Sequence, residues 1–272
     1  MSMSPIFSVA AITFKEGIRN KAIYGITIVA IMMVVANFII TEMIMREVGK
    51  VAMDIALSTV SLSGLLLVLF VGLNLLAKDL DRRTIYMVLA RPISRTHYIC
   101  GKFLGMVWLI ITSTFIQSCF AGGSLFLLQR LNQAYFQRFS WSMFALALLF
   151  IVVSLILLSA ISFLAAALTS TSFIALVLTI ISYLIGSSLS DVKSLVEAPK
   201  QAGIDPSPVV IKVVQAAYYI FPNLSLFDIK VQAAHDLAMP LSYIFWTLLY
   251  GGAYTAIILI ITCLIFNRRE FP

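Results

Sequence analysis

Residues Lys78–Lys102, KDLDRRTIYMVLARPISRTHYICGK, form a short polar island between two long apolar runs, Ile55–Ala77 and Phe103–Leu128. Lys78, Arg82, Arg83, Arg91, Arg95 and Lys102 face only two acids, Asp79 and Asp81. Flanked by runs of spanning length, such basic density decides which side of a bilayer the island occupies. Inside it lies an apolar strip, Ile85–Ala90. An apolar strip framed by charges suits docking into a groove on a soluble partner.

Working outward, the whole 272-residue chain is 61% hydrophobic and 11% charged, more apolar surface than a soluble domain can cover. An all-α integral membrane protein follows, a single transmembrane domain over 1–272. Six spans are expected at Ala22–Ile40, Ile55–Ala77, Phe103–Leu128, Trp141–Leu168, Phe173–Leu189 and Tyr243–Phe266. A helix needs roughly 20 apolar residues to cross about 30 Å of hydrocarbon. Open strands would leave backbone groups unpaired in lipid, so the spans are helices. An even count puts both termini on one side.

Lys15, Arg19, Lys21, the island, Arg268 and Arg269 concentrate basic charge on that side, which is therefore cytoplasmic. The opposite side holds Arg46, Lys50, Arg130, Arg138 and four lysines spread over one long loop. The net charge of +7 is thus topological and implies no nucleic-acid partner. Trp141, Tyr243 and Trp246 near span ends fit an aromatic belt. No cleavable leader pattern precedes the first span.

In the N-terminal segment 6–21, Phe7, Ala10, Ala11, Phe14 and Ile18 recur at helical spacing and Ala22 continues the series. Lys15, Glu16 and Arg19 interrupt them, which predicts an amphipathic helix on the cytoplasmic membrane surface. The plain alternative is a charged flank. The 190–242 loop mixes charges and prolines with an apolar stretch, Val209–Phe221, interrupted by Lys212 and Gln215. Short helices at the outer surface are expected there, in preference to a re-entrant pair of half-spans.

The sequence holds no catalytic constellation. His97 and His235 have no second ligand at metal spacing, and Cys100, Cys119 and Cys263 form no metal or disulfide framework. Gly101-Lys102 is followed by Phe103, so a Walker-type phosphate loop is absent. Ionisable residues are nearly missing from the spans; Asp54 stands at the outer start of the second. Ion-coupled carriers place charge in mid-membrane, so energy is expected from outside this chain. Asn37, Asn74, Gln117, Ser154, Ser159 and Ser182 are expected to bond neighbouring helices, and the Gly101/Gly105 pair to allow close helix packing.

The order Asp79, Asp81, Arg83, Thr84, Leu89, Pro92-Ile93-Ser94-Arg95 and Gly101-Lys102 resembles the permease subunits of type-2 ABC exporters. Within that family it is similar to the branch containing the membrane subunit of the nitrous-oxide-reductase maturation transporter. FKEGIRNKAIY, with Lys15, Glu16, Arg19 and Asn20, resembles the family's N-terminal helix, and Phe221-Pro222-Asn223 its Pro-Asn before the last span. Arg83 departs from the pattern, standing where glycine is common.

The resemblance implies a multi-pass protein of the bacterial inner membrane in which two permease copies, identical or related, pair with two copies of a separate cytoplasmic ATPase. This chain would carry no cofactor; ATP and Mg would sit on the ATPase. The island would be a coupling helix between spans two and three. Its residues are Asp79, Asp81, Arg82, Arg83, Thr84, Tyr86, Met87, Leu89, Arg91, Pro92, Ser94 and Arg95, with the apolar ones in a groove of the ATPase and the arginines at its acidic rim. Phe14, Lys15, Glu16 and Arg19 would belong to the interfacial helix. If the arginines only enforce topology, they contact lipid phosphates instead. The same loop would serve an exporter or a scaffold that passes ATPase motion to an extracytoplasmic partner without moving a solute.

Overall fold

A computed structural model describes residues 5–43, 47–72, 75, 94–131, 133, 136, 139–169, 171–197 and 208–268. The expected coupling residues Asp79, Asp81, Arg82, Arg83, Thr84, Tyr86, Met87, Leu89, Arg91 and Pro92 lie outside the described residues, as does Asn74.

The chain forms α1 (Pro5–Ile18), α2 (Lys21–Met43), α3 (Val48–Leu67), α4 (Arg95–Leu131), α5 (Trp141–Leu168), α6 (Ser172–Glu197), α7 (Pro208–Ile220), α8 (Lys230–Ala234) and α9 (Leu241–Arg268). Six helices among the described residues are long and apolar enough to cross a membrane: Lys21–Thr41, Val48–Gly72, Arg95–Leu131, Trp141–Leu168, Ser172–Ser194 and Leu241–Arg268. Each overlaps one expected span.

Boundaries differ from expectation; the fifth spanning helix, for one, runs on to Glu197, eight residues past the expected Leu189. The second spanning helix begins at Val48, seven residues before the expected Ile55, because Glu47 in the left-handed region (φ 58) starts the helix there. Asp54 is therefore an exposed residue inside α3. Lys50, hydrogen-bonded to Glu47 at 2.6 Å, holds that carboxyl below the usual carboxylate range. The third spanning helix begins at Arg95 instead of Phe103. Ser94 caps it: its Oγ accepts from His97 N at 3.3 Å, and it also bonds His97 Nδ1. No helix breaker follows, so residues 95–102 of the island are the first two turns of α4 and no loop.

Burial sorts the helices into centre and periphery. In their most apolar windows α3, α4 and α5 are 61%, 50% and 56% buried, against 17%, 22% and 22% for α2, α6 and α9. The former three make the core around Leu57, Met106, Phe150 and Phe163, and the latter present apolar faces outward.

In-span polar residues tie this arrangement together. Asn37 Nδ2 donates to Ala52 O at 3.2 Å, joining α2 to α3, and Ser63 bonds Gln117 across α3 and α4. Ser159 and Ser182 instead donate to carbonyls of their own helices, Ile156 O and Leu178 O. A hydroxyl can reach back to its own preceding turn, so its polarity alone does not name a neighbour.

Candidate functional site

One end of the bundle gathers α1, the end of α3, the start of α4 and the end of α9. The chain before it makes this possible. Asn20 accepts from Ala22 N at 3.0 Å and so caps α2, which stops α1 and starts a new helix at an angle of its own. Freed from α2, α1 lies along the first half of α4.

That packing rests on missing side chains. A Cβ on Gly101 would stand 2.7 Å from Val9 Cβ, and one on Gly105 would stand 2.7 Å from both Ala10 O and Thr13 Cβ. Across the same interface, a Cβ on Gly17 would meet Leu109 at 2.9 Å. The buried face of α1 is thus Val9, Ala10, Thr13 and Gly17, not the larger set expected from the periodicity. Ala10 belongs to both sets, but Phe7 and Ile18 are exposed. Phe14 sits at the edge, its ring T-shaped to Trp108 at 6.3 Å. Small residues win the interface because backbones that approach closely gain more contact than large side chains at a distance.

Lys102 is the centre of the junction. It is buried, with its side chain 7% exposed. Its Nζ donates to Leu75 O at 2.9 Å and pairs with Glu16 Oε2 at 3.3 Å. It also lies 5.8 Å from the centroid of the Tyr98 ring. One ammonium thereby joins α1, the chain just after α3, and α4. Leu75 and Lys102 stand on either side of residues 76–93, so the contact clamps the island's two roots together. Before Leu75 the last turn of the third helix widens into a π-helix, Val68–Gly72, with Gly72 under Met106. Such turns are frequent at functional positions.

Arg95 is the second tie. Its Nη1 donates to Asn267 O at 3.1 Å and to Phe266 O at 3.5 Å, the terminal carbonyls of α9. A cation at a helix C-terminus satisfies orphan carbonyls and the helix dipole. Tyr98 stacks on Phe266 at 6.3 Å beside it. Of the expected site residues that are described, Ser94, Arg95 and Glu16 therefore meet at this end. Lys15 and Arg19 are exposed on α1 and its C-terminal flank.

In the sequence Lys102 is a topology charge and part of a family resemblance. A lone lysine beside an apolar run carries no signal of burial, so its clamp was not readable.

At the opposite end the chain folds inward. After α7, Phe221-Pro222-Asn223 leads into a 3-10 turn, Leu224–Phe227, wedged among α5, α6 and α9. Phe227 packs T-shaped on Phe150 at 6.2 Å, nine residues into α5, or about 14 Å along its axis. Two glycines make room: a Cβ on Gly186 would lie 2.8 Å from Pro222 O, and one on Gly251 would lie 2.9 Å from Phe227 Cζ.

Irregular backbone among spans needs partners within the protein. Asn223 N donates to Tyr250 Oη and Tyr243 Oη donates to Leu226 O, both at 2.8 Å, while Asn223 and Ser225 share hydrogen bonds with Ser190. Beside the turn is a cavity of about 70 Å³ whose polar lining includes Ser61, Ser154, Tyr183, Ser187, Asp228 and Lys230. Asp228 and Lys230 pair at 3.3 Å. The sequence placed these two charges in a surface loop; only the inward fold brings them to the cavity.

Among the described residues no group of three or more His, Cys, Asp or Glu side chains could hold a metal ion. The family described as ABC-2 family transporter protein matches residues 7–271 of the chain. None of the curated proteins compared with the chain matches it.

Proposed function

Because the chain belongs to the ABC-2 transporter family, whose membrane proteins are non-catalytic transport subunits working with a cytoplasmic ATPase, we propose that it is the permease half of an ATP-driven exporter. In this reading the termini and the island face the cytoplasm of a bacterial cell. Two permease copies, of this chain or of this chain with a related one, pair with two ATPases that hold ATP and Mg. Their outward apolar helices meet each other and membrane lipid. Within the family, the Pro92-Ile93-Ser94-Arg95 order supports the branch of the nitrous-oxide-reductase maturation transporter.

The observation that carries the proposal is the clamp at the island's roots. Lys102 binds Leu75 O and Glu16, while Arg95 binds the end of α9. A push on the island would reach α1, α3, α4 and α9 together. Around such a lever, Tyr86, Met87 and Leu89 would fill an ATPase groove. Arg82, Arg83 and Arg91 would meet its acidic rim, α1 would lie in the interface with Lys15 and Arg19 toward headgroups, and Asp79, Asp81, Thr84 and Pro92 would shape the turn.

A second reading is favoured by the wedge at the far end, where the turn Leu224–Phe227 packs against α5 and α6. There the chain transmits ATPase motion through the wedge at 221–230 to an extracytoplasmic partner and moves no solute. Both readings require the ATPase.

Co-expression of the chain with a candidate ATPase tests them. The purified chain alone should hydrolyse no ATP. The double change Tyr86→Asp, Leu89→Asp should abolish ATPase capture while the protein still inserts, since carboxylates entering an apolar groove lose hydration at a cost of several kcal/mol. Arg95→Glu should weaken capture too, but it also breaks the α9 contact, so the double change is the cleaner probe. Unchanged capture in both variants would reduce the island to a topology signal. If capture holds in the parent chain, movement of a solute across reconstituted vesicles separates the exporter from the scaffold.

A further inference from the structure

Ser63, Ser159 and Ser182 turn their hydroxyls onto carbonyls of their own helices. Ser61 and Ser154 do not. Among the described residues, these two hydroxyls and the phenol of Tyr183 have no hydrogen-bond partner within the protein. All three line the cavity beside the inward turn, one each from α3, α5 and α6. Ser61 and Ser154 are each thirteen residues, or about 20 Å, from the starts of their helices, and Tyr183 is fourteen residues before the end of α6. The hydroxyls therefore meet at one level, deep among the spans. A polar group so placed loses its hydration unless something in the cavity bonds it. The other wall carries charge. Asp228 pairs with Lys230 at 3.3 Å, and the Asp228 side chain is 54% exposed, which puts the pair at the mouth.

We propose that this cavity binds an uncharged group bearing a hydroxyl or an amide, with water in its place when no such group is bound. Size sets the first limit. A volume of about 70 Å³ equals the share of about two waters in the liquid, so the site takes one small polar head and not a whole lipid or drug. Charge sets the second. Asp228 and Lys230 neutralise each other, so an entering cation meets the ammonium and an entering anion the carboxylate, and each finds its counter-ion already paired. An apolar group would cover the three hydroxyls and give them no bond. A hydroxyl or amide both donates and accepts, which matches the serine and tyrosine hydroxyls around it. As the resting place of an exported solute the site rests on the exporter reading; the binding itself does not.

The test uses alkylating probes of nearly one size in the full chain without its native cysteines, purified in detergent. Iodoacetamide is an uncharged amide, iodoacetate an anion, 2-bromoethylammonium a cation and iodoethane apolar. Each reacts with thiolate, so comparing probes at one thiol cancels that thiol's own ionisation. Rates are read by mass at Ser154→Cys and, on the facing helix, Ser61→Cys, with exposed Ser194→Cys as the reference. The preference for iodoacetamide over either charged probe should exceed that at the reference by at least about tenfold, because the charge must leave water. Iodoethane should gain no such preference. Ser159→Cys, buried and facing its own helix, should stay unmodified in the folded chain. Three results would overturn the proposal: positions 61 and 154 that react with iodoacetamide only after denaturation, probe preferences equal to the reference, or labelling of Ser159→Cys as fast as theirs. No ATPase is present, so failure here leaves the exporter reading standing, and failed ATPase capture leaves the site standing.

Discussion

Replacing Lys102 by methionine should loosen the junction at the island's roots, and the contacts of its Nζ set how much. Among the described residues the ammonium makes two polar contacts of unequal worth. The bond to Leu75 O, 2.9 Å long, is a charge-assisted hydrogen bond, and such bonds contribute about 1.5–3 kcal/mol. The contact with Glu16 is 3.3 Å, and the glutamate side chain is 47% exposed. Water screens it, so it is worth about 0.2–1 kcal/mol. Methionine keeps the apolar stem and removes the burial cost of the charge, which offsets part of the loss. The Leu75 carbonyl is left without its donor.

The expected net cost of Lys102→Met is about 1–2 kcal/mol, against less than about 1 kcal/mol for Glu16→Gln. The double variant should match Lys102→Met alone, because removing the lysine already removes the pair. The unfolding midpoint of the purified chain in a sodium dodecyl sulfate titration orders the three variants, and hydrogen exchange in α1 reports where the junction opens. If Glu16→Gln costs as much as Lys102→Met, or if Lys102→Met costs nothing, the carbonyl is not the main partner and the clamp is misassigned.

Gly105→Ala should shift α1 off α4 and cost about 1–3 kcal/mol, because its Cβ meets the backbone oxygen of Ala10; Gly123→Ala, with nothing within 4 Å, should be neutral or slightly stabilising by the same titration. Equal effects would remove the close-approach argument. Tyr250→Phe should cost about 1–3 kcal/mol by leaving the Asn223 amide without an acceptor, and proteolysis of 221–230 should quicken; an unchanged digest would mean that the turn is held by packing alone. In a cysteine-free background, Arg91→Cys should label from the cytoplasm and Asp205→Cys from outside, and labelling of both from one face would overturn the orientation.

Fold class and span number were legible because hydropathy is a property of local composition: any helix built from Trp141–Leu168 or Leu241–Arg268 is apolar all round, whatever it packs against. Ser94 was visible only as part of a motif, its cap was not, and the Gly101/Gly105 pair was visible as a place for close packing. Which helix uses that pair was decided only by the fold, since glycines advertise room and not an occupant. The periodicity of α1 pointed to a helix, yet of its apolar series only Ala10 is on the buried face with Val9, Thr13 and Gly17, because interhelical distance and not residue hydrophobicity selects it. Lys102 carries the same charge in any context; it became a clamp only when α1 and Leu75 arrived around it. The turn at Leu224–Phe227 reads as loop by composition and becomes interior because Gly186 and Gly251, far apart in sequence, leave space at one level of the bundle. Composition sets how much of a membrane helix must avoid water, while rotation, register and close approach, all non-local, decide which polar groups find each other.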